Sequence, residues 1–373
     1  MYGMRLLCIY LPGKNTIGSN IQNGQTKIIG LQKEQGLDGG NNMNDEKLNP
    51  IVSPSPHIKS DDSTRGLMLD VIIALLPALF VSIYFFGWRV LGLTLISVGA
   101  CIFFEWGYRR ITKKNNSVGD LSAVVTGILL VFCLPVTTPY WTVVIGDFFA
   151  IVIVKQLFGG LGKNFMNPAL AARAFMFSWP VIMSTWTAPG TALSFLGGNA
   201  DVVTCATPLS FLRNGTLPDV GLFQLFLGNC GGSLGETCTV ALLLGGIYLI
   251  IRRVISPRIP VAFIGTVALI TFIFPQNGVE RFSWMLAEVL SGGLILGAVF
   301  MATDYVTSPV TKKGQWIYGI GCGLITVFIR YFGSYVEGVS YAILIMNVCV
   351  YLIDKVCKPK RYGVTSKKGG CEQ

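Results

Sequence analysis

Apolar runs recur from residue 66 to residue 356, separated by connections that hold most of the charge, and this alternation limits the fold more than any other feature. Hydrophobic residues make up 52% of the chain and charged residues 13%, whereas charge is near ~25% in soluble proteins. The pattern predicts an all-α polytopic membrane protein with about ten transmembrane helices. They are placed at 66–86, 88–106, 120–135, 140–159, 168–187, 236–251, 259–275, 284–303, 315–333 and 338–356. Several fall short of the ~20 residues that a bilayer core requires, which implies tilted, broken or shielded spans.

An even number of spans puts both termini on one side. On that side lie Lys59 and Arg65, then Arg109, Arg110, Lys113 and Lys114, then Lys163, Arg252, Arg253 and Arg258, and further on Lys312, Lys313 and Lys355. The opposite connections hold only Arg89, Arg213 and Arg281. The basic side is expected to be cytoplasmic, which makes 358–373 a basic cytoplasmic tail. Residues 1–50 are polar and rich in Gly, Asn and Gln, and read as disordered or as an upstream extension. The membrane domain is expected over 51–357.

An internal repeat runs through that domain. Asp120 precedes Val131-Phe132 and then Val136-Thr137-Thr138-Pro139; Glu288 precedes Val299-Phe300 and then Val306-Thr307-Ser308-Pro309. The first copy runs outward and the second inward, so the arrangement expected is two inverted five-helix repeats, about 66–187 and 236–356, with functional sites near their interface. Residues 188–235 form the longest connection, on the outer side, and a loop of that length is more often functional than a plain connector.

Composition excludes several chemistries. The one histidine, His57, precedes the first apolar run, so there is no histidine-based catalytic or metal site. The ten cysteines include no CxxC pair, and Cys101, Cys133, Cys322 and Cys349 fall inside apolar runs, so no metal site is expected. The net charge of +10 is distributed as a membrane protein's is, and nucleic acid is not a partner. The string GGLGKN at 159–164 lacks the GxxxxGK[ST] spacing and a preceding soluble strand, so it is no nucleotide loop. Its glycines, followed by Asn167-Pro168, predict either a helix break lining a cavity or buried in protein, or a plain cytoplasmic turn between the fourth and fifth spans.

In the outer loop stands Asp201-Val202-Val203-Thr204-Cys205-Ala206-Thr207-Pro208. The string resembles the Dxx[ST]xAT signature on which a flavin transferase esterifies FMN, through its phosphate, to the last threonine. SPSPH at 53–57, GGLGKNFMNPA at 159–169, MATDYVTSP at 301–309 and EGVSYAILIMN at 337–347 extend the likeness, so residues 51–357 resemble the RnfD/NqrB family, RnfD members most closely. Cys205 departs from the pattern, where glycine is usual. The resemblance implies a covalent FMN on Thr207, with Asp201, Thr204 and Ala206 as its motif neighbours. It further implies a non-covalent riboflavin near Asn164 and Asn167, whose amides can both donate and accept. Asp304 and Thr307, at the inward end of the second repeat copy, are expected to wall the same pocket.

Carboxylates within apolar runs are costly, by ~2.5–3.5 kcal/mol on insertion scales, and need a reason. Asp147 stands mid-span with no basic residue nearer than Lys155, and Asp70 lies in the first turns of its span; both are candidates for an ion path, with Glu288. Glu105, Asp120, Glu236 and Glu288, near span ends, also read as snorkelled or capping residues. The function implied is that of a flavin-carrying subunit of an Rnf-type ferredoxin:NAD+ oxidoreductase that moves Na+ or H+ across the bacterial inner membrane. Its implied partners are RnfA, RnfB, RnfC, RnfE and RnfG, with a flavin transferase for maturation and membrane lipid around it. The competing readings are an NqrB-type subunit of an NADH:quinone reductase and, in another class, a flavin-free permease, since the fold is similar to urea-transporter-like proteins.

Overall fold

The Ser63 hydroxyl accepts a hydrogen bond from the N–H of Gly66 (3.1 Å) and opens the first helix, α1, Thr64–Phe86. Gly87, at φ 81°, closes it. The computed structural model describes residues 63–115, 117–190, 205–236, 238–333 and 335–358. The readings of 1–50 and of the tail beyond 358 lie outside them, as do Asp201 and Thr204. Helix α2, Arg89–Ile111, ends on Arg109 and Arg110, where cations suit the negative end of a helix. Among the described residues the regular elements are helical.

The next elements are short. A single 3-10 turn, Val118–Asp120, leads into α3, Ser122–Phe132, whose residues are nearly all buried. Asp120 caps this start: its Oδ1 accepts from the Ser122 N–H (3.0 Å) and hydroxyl (2.6 Å). Helix α4, Tyr140–Phe148, continues without interruption as a π-helical segment, Phe149–Gln156. Asn167 caps α5, Pro168–Met176, with Pro168 at its first position. The span expected at 168–187 is not one helix, because the chain turns at Ser178 and Trp179 before α6, Pro180–Met183.

The connection between α6 and α9 carries two short helices, α7, Pro208–Arg213, and α8, Leu222–Leu227. There follow α9, Thr239–Ile251, α10, Arg258–Ile273, and α11, Arg281–Leu290. The span expected at 284–303 is broken too. Gly292, at φ 70°, separates α11 from α12, Leu294–Leu296, which runs into a π-helical segment, Gly297–Met301, and the two halves bend by 63°. Last come α13, Lys312–Phe332, and α14, Val339–Val356.

By length and composition α1, α2 and α14 can each cross a membrane, and the bent pair from Arg281 to Met301 makes a fourth. Large apolar side chains stand exposed on each of them, Phe80, Phe103, Tyr351 and Phe282, and also on α10 and α13, as Leu269 and Phe328. A helix apolar all round suits lipid, so the chain is a helical membrane protein. Inside, α1 packs on α9, α2 on α3 and α4, α10 on α11 and α13, and α14 on α13 and α5. The α10–α13 contact depends on Gly319 and Gly323, one turn apart. A Cβ on Gly319 would lie 2.6 Å from the Cβ of Ala262, and one on Gly323 would lie 2.7 Å from the Cβ of Thr266. Small residues at this spacing let two backbones approach where no hydrophobic force drives helices together.

Candidate functional site

The loop after the first π-helical segment turns through Gly159, Gly160 and Gly162, all at positive φ, and delivers Asn164 and Asn167 to a cavity between the two halves of the domain. Its polar lining is Ser122, Thr126, Lys155, Asn164, Asn167, Thr303 and Asp304; Met68, Val71, Leu129, Leu249 and Phe300 make much of the apolar wall. Asn167 is a tie-point. Its Oδ1 accepts from the N–H groups of Ala169 (3.0 Å) and Leu170 (3.3 Å), and its Nδ2 donates to the carbonyl of Met301 (3.3 Å) at the end of the second π segment. Asn164 donates to the Met166 carbonyl (3.3 Å), while its buried Oδ1 has no partner among the described residues. Asp304 accepts from the Val306 N–H (3.4 Å) and the Thr307 hydroxyl (3.2 Å). Three of the four residues expected to hold riboflavin thus share one cavity, and Thr307 is bonded to one of them.

Lys155 also lines this cavity, although its place in the sequence marks it only as a neighbour of Asp147. It is fully buried. Its Nζ donates to Glu105 Oε2 (2.8 Å) and to the Ser122 hydroxyl (2.6 Å). Glu105 accepts in addition from Ser117 (2.5 Å) and Gln156 (3.0 Å). The one available signal was a lysine and a glutamate each placed inside an apolar run, a pairing that spacing of 50 residues does not disclose.

The intramembrane carboxylates separate into two kinds. Most are paired. Glu288 accepts from Arg330 (2.7 Å), both buried, and Asp70 meets Arg252 (3.4 Å) and the hydroxyl of Tyr248 (2.9 Å). Arg173 holds Glu236 (3.4 Å), Glu337 and the hydroxyl of Ser340 (2.8 Å). Glu105, Glu236 and Glu288, expected to snorkel or cap, are buried ion-pair partners instead, whereas Asp120 does cap. Asp147 is the exception. Its Oδ1 accepts from Ser97 (2.7 Å) and Cys101 (3.2 Å), and its Oδ2 is buried without a partner among the described residues.

In the long connection before α9, Thr207 occupies the N-cap position of α7 in extended backbone, and its hydroxyl makes no capping bond. Its carbonyl accepts from the N–H (2.9 Å) and hydroxyl (2.6 Å) of Ser210, which fixes the backbone, and the side-chain oxygen makes no bond to its own helix among the described residues. Ala206 is exposed beside it. Cys205 packs over Gly231, where a Cβ would come within 2.1 Å of its Sγ, and burial pushes its thiol up.

The profile of the NQR2, RnfD, RnfE family matches residues 51–363. The chain belongs to this family. Among relatives within it, the D subunit of the Na(+)-translocating ferredoxin:NAD(+) oxidoreductase complex of Acetobacterium woodii is 49% identical over 329 residues, covering 86% of this chain and 98% of that protein. Its counterpart in the proton-translocating ferredoxin:NAD(+) oxidoreductase complex of Clostridium ljungdahlii is 42% identical, covering 84% and 96%. The counterpart in the ion-translocating oxidoreductase complex of Stutzerimonas stutzeri is 38% identical, covering 81% and 92%. The family match spans both the cavity and the Thr207 connection, so the two candidate sites belong to the shared part of these proteins.

Proposed function

We propose that this chain is the flavin-carrying membrane subunit of an ion-translocating ferredoxin:NAD+ oxidoreductase, working with the other subunits of that complex. The observation that carries the reading is the likeness, over nearly the whole of two relatives, to the D subunits of such complexes. FMN is joined through its phosphate to Thr207, and riboflavin sits without a covalent bond in the cavity of Asn164, Asn167 and Asp304. Flavins supply the one- and two-electron redox chemistry when bound, and the protein supplies position and environment. The residues present fit both groups. A hydroxyl left out of its own helix cap is available for an ester, and the unpartnered Oδ1 of Asn164 offers an acceptor at the polar end of an apolar cavity.

The finer architecture is ten spans in two inverted repeats. Supporting it, α1 packs on α9 and α5 on α14, each first-half element against its second-half counterpart, and α3 is buried as is the segment Leu294–Met301 that ends the third element of the second half. The likeness to bacterial relatives supports the inner membrane, and the basic connections favour both termini cytoplasmic, the cavity toward the cytoplasm and Thr207 outside. Of the three carboxylates on the expected ion path, Asp70 and Glu288 are held by arginines. Asp147 remains the group that can exchange Na+ or H+, because an unpaired carboxylate at that depth must hold a cation or a proton. The test is ultraviolet fluorescence of the denatured chain on a gel, from its native source. A flavin band that disappears in Thr207→Val supports the reading, and a parent chain without the band refutes it.

A further inference from the structure

A buried lysine–glutamate pair is a poor way to stabilise a helix bundle. Desolvating both charges offsets most of their attraction, and apolar residues of similar size hold such a contact as well or better. The Lys155–Glu105 pair is fully enclosed, and Glu105 is pinned by three donors: Lys155, Gln156 and Ser117. Lys155 lies between that carboxylate and the cavity, on whose wall it stands with Ser122 and Asn164. In turn, Ser122 accepts from Lys155 and donates to Asp120, so the lysine is fixed from two sides. The arrangement holds one ammonium group rigidly at the edge of an apolar space.

Resting on the reading that this cavity holds riboflavin, we propose that Lys155 sets the flavin's reduction potential, with Glu105 attenuating its charge. Two electrons taken up with one proton leave the flavin ring one negative charge richer. A fixed cation across a low-dielectric gap favours that form over the oxidised, neutral one, and water and salt do little to screen it there. Glu105 opposes the effect, as does the Asp304 carboxylate on the same cavity wall, so the potential depends on the balance of these charges, and removing Lys155 or Glu105 shifts it in opposite directions. Lys155 is a positioning residue in this sense: it acts on the flavin through the field and takes no part in bond making.

The test uses the full-length chain, purified in detergent, in a Thr207→Val background so that the non-covalent flavin alone is titrated spectroelectrochemically. Removing the cation with Lys155→Met is expected to weaken binding of reduced riboflavin, relative to oxidised, at least tenfold. That lowers the potential by about 30 mV for a two-electron couple. Lys155→Arg keeps the charge and stays near the parent value, while Glu105→Gln moves the potential the other way. Opposite shifts of this kind are not produced by a merely structural pair. Riboflavin retained with an unchanged potential in both Lys155→Met and Glu105→Gln overturns the proposal; should Lys155→Met fail to fold, Glu105→Gln decides by itself. The underlying cavity reading is tested separately by Thr303→Trp, which fills the space and should expel riboflavin. If that variant binds riboflavin as the parent does, the flavin lies elsewhere.

Discussion

Replacing Arg330 by methionine should weaken the fold sharply, and the structure gives the scale. The guanidinium donates to the Glu288 carboxylate at 2.7 Å, to the Glu288 carbonyl at 2.6 Å and to the Ser291 carbonyl at 3.2 Å. It therefore neutralises a buried charge and also satisfies the carbonyls where α11 ends at the bend. Both side chains are only 3% exposed, so water cannot replace what is lost. Leaving one member of a buried pair uncompensated costs about 3–5 kcal/mol. Even the low end of that range lowers the folding equilibrium constant more than a hundredfold. Denaturant titration in mixed micelles, followed by tryptophan fluorescence, reads the change directly: Trp284 is buried on α11 and donates to the hydroxyl of Tyr331 (3.0 Å), the residue after Arg330. The double variant Arg330→Met with Glu288→Leu removes both charges and should recover part of the loss, giving a coupling of about 0.5–3 kcal/mol. Recovery stays incomplete because the two carbonyls remain without a donor. An Arg330→Met chain as stable as its parent, or a double variant with simply additive losses, would refute the reasoning and free Glu288 for a role in ion transport.

Other consequences follow from the same structure. In the reconstituted complex Asp147→Asn should uncouple ion uptake into vesicles from electron transfer, while unchanged coupling would remove Asp147 from the path. Asn164→Leu deletes one hydrogen-bonding partner worth about 0.5–1.5 kcal/mol, so riboflavin extracted per chain at limiting riboflavin should fall several-fold. Burial pushes the Cys230 thiol up to about 12, and since a raised value keeps the unreactive thiol form below that pH, thiolate-specific alkylation of the folded chain should spare Cys230 at pH 8; rapid labelling would contradict its burial.

Hydropathy located the elements because continuous helices leave continuous apolar runs. The run expected at 66–86 is α1, Thr64–Phe86, and the run at 338–356 is α14, Val339–Val356. It failed at the breaks for an equally physical reason. Ser291, Gly292 and Gly293 interrupt α11 without lowering the surrounding apolarity, and the bend rests on the positive φ of Gly292 and the capping by Arg330, which a sliding window does not register. Pairings across long spacings were invisible for the same cause: Arg173 meets Glu337 over 164 residues, and only the fold brings them together. Asn164, Asn167 and Asp304 stand out in the sequence through family resemblance, and the cavity they share gives that likeness a spatial meaning. Lys155 does not stand out, because a lone lysine after an apolar stretch looks like a span end; burial and its two hydrogen bonds distinguish it.

The most direct measurement is the intact mass of the chain isolated from its native source, together with a peptide map around residues 205–213. An FMN ester predicts a mass higher by one FMN less one water, carried by the peptide that contains Thr207 and absent from Thr207→Val. An unmodified Thr207 peptide in the native chain would contradict the assignment of a covalent flavin.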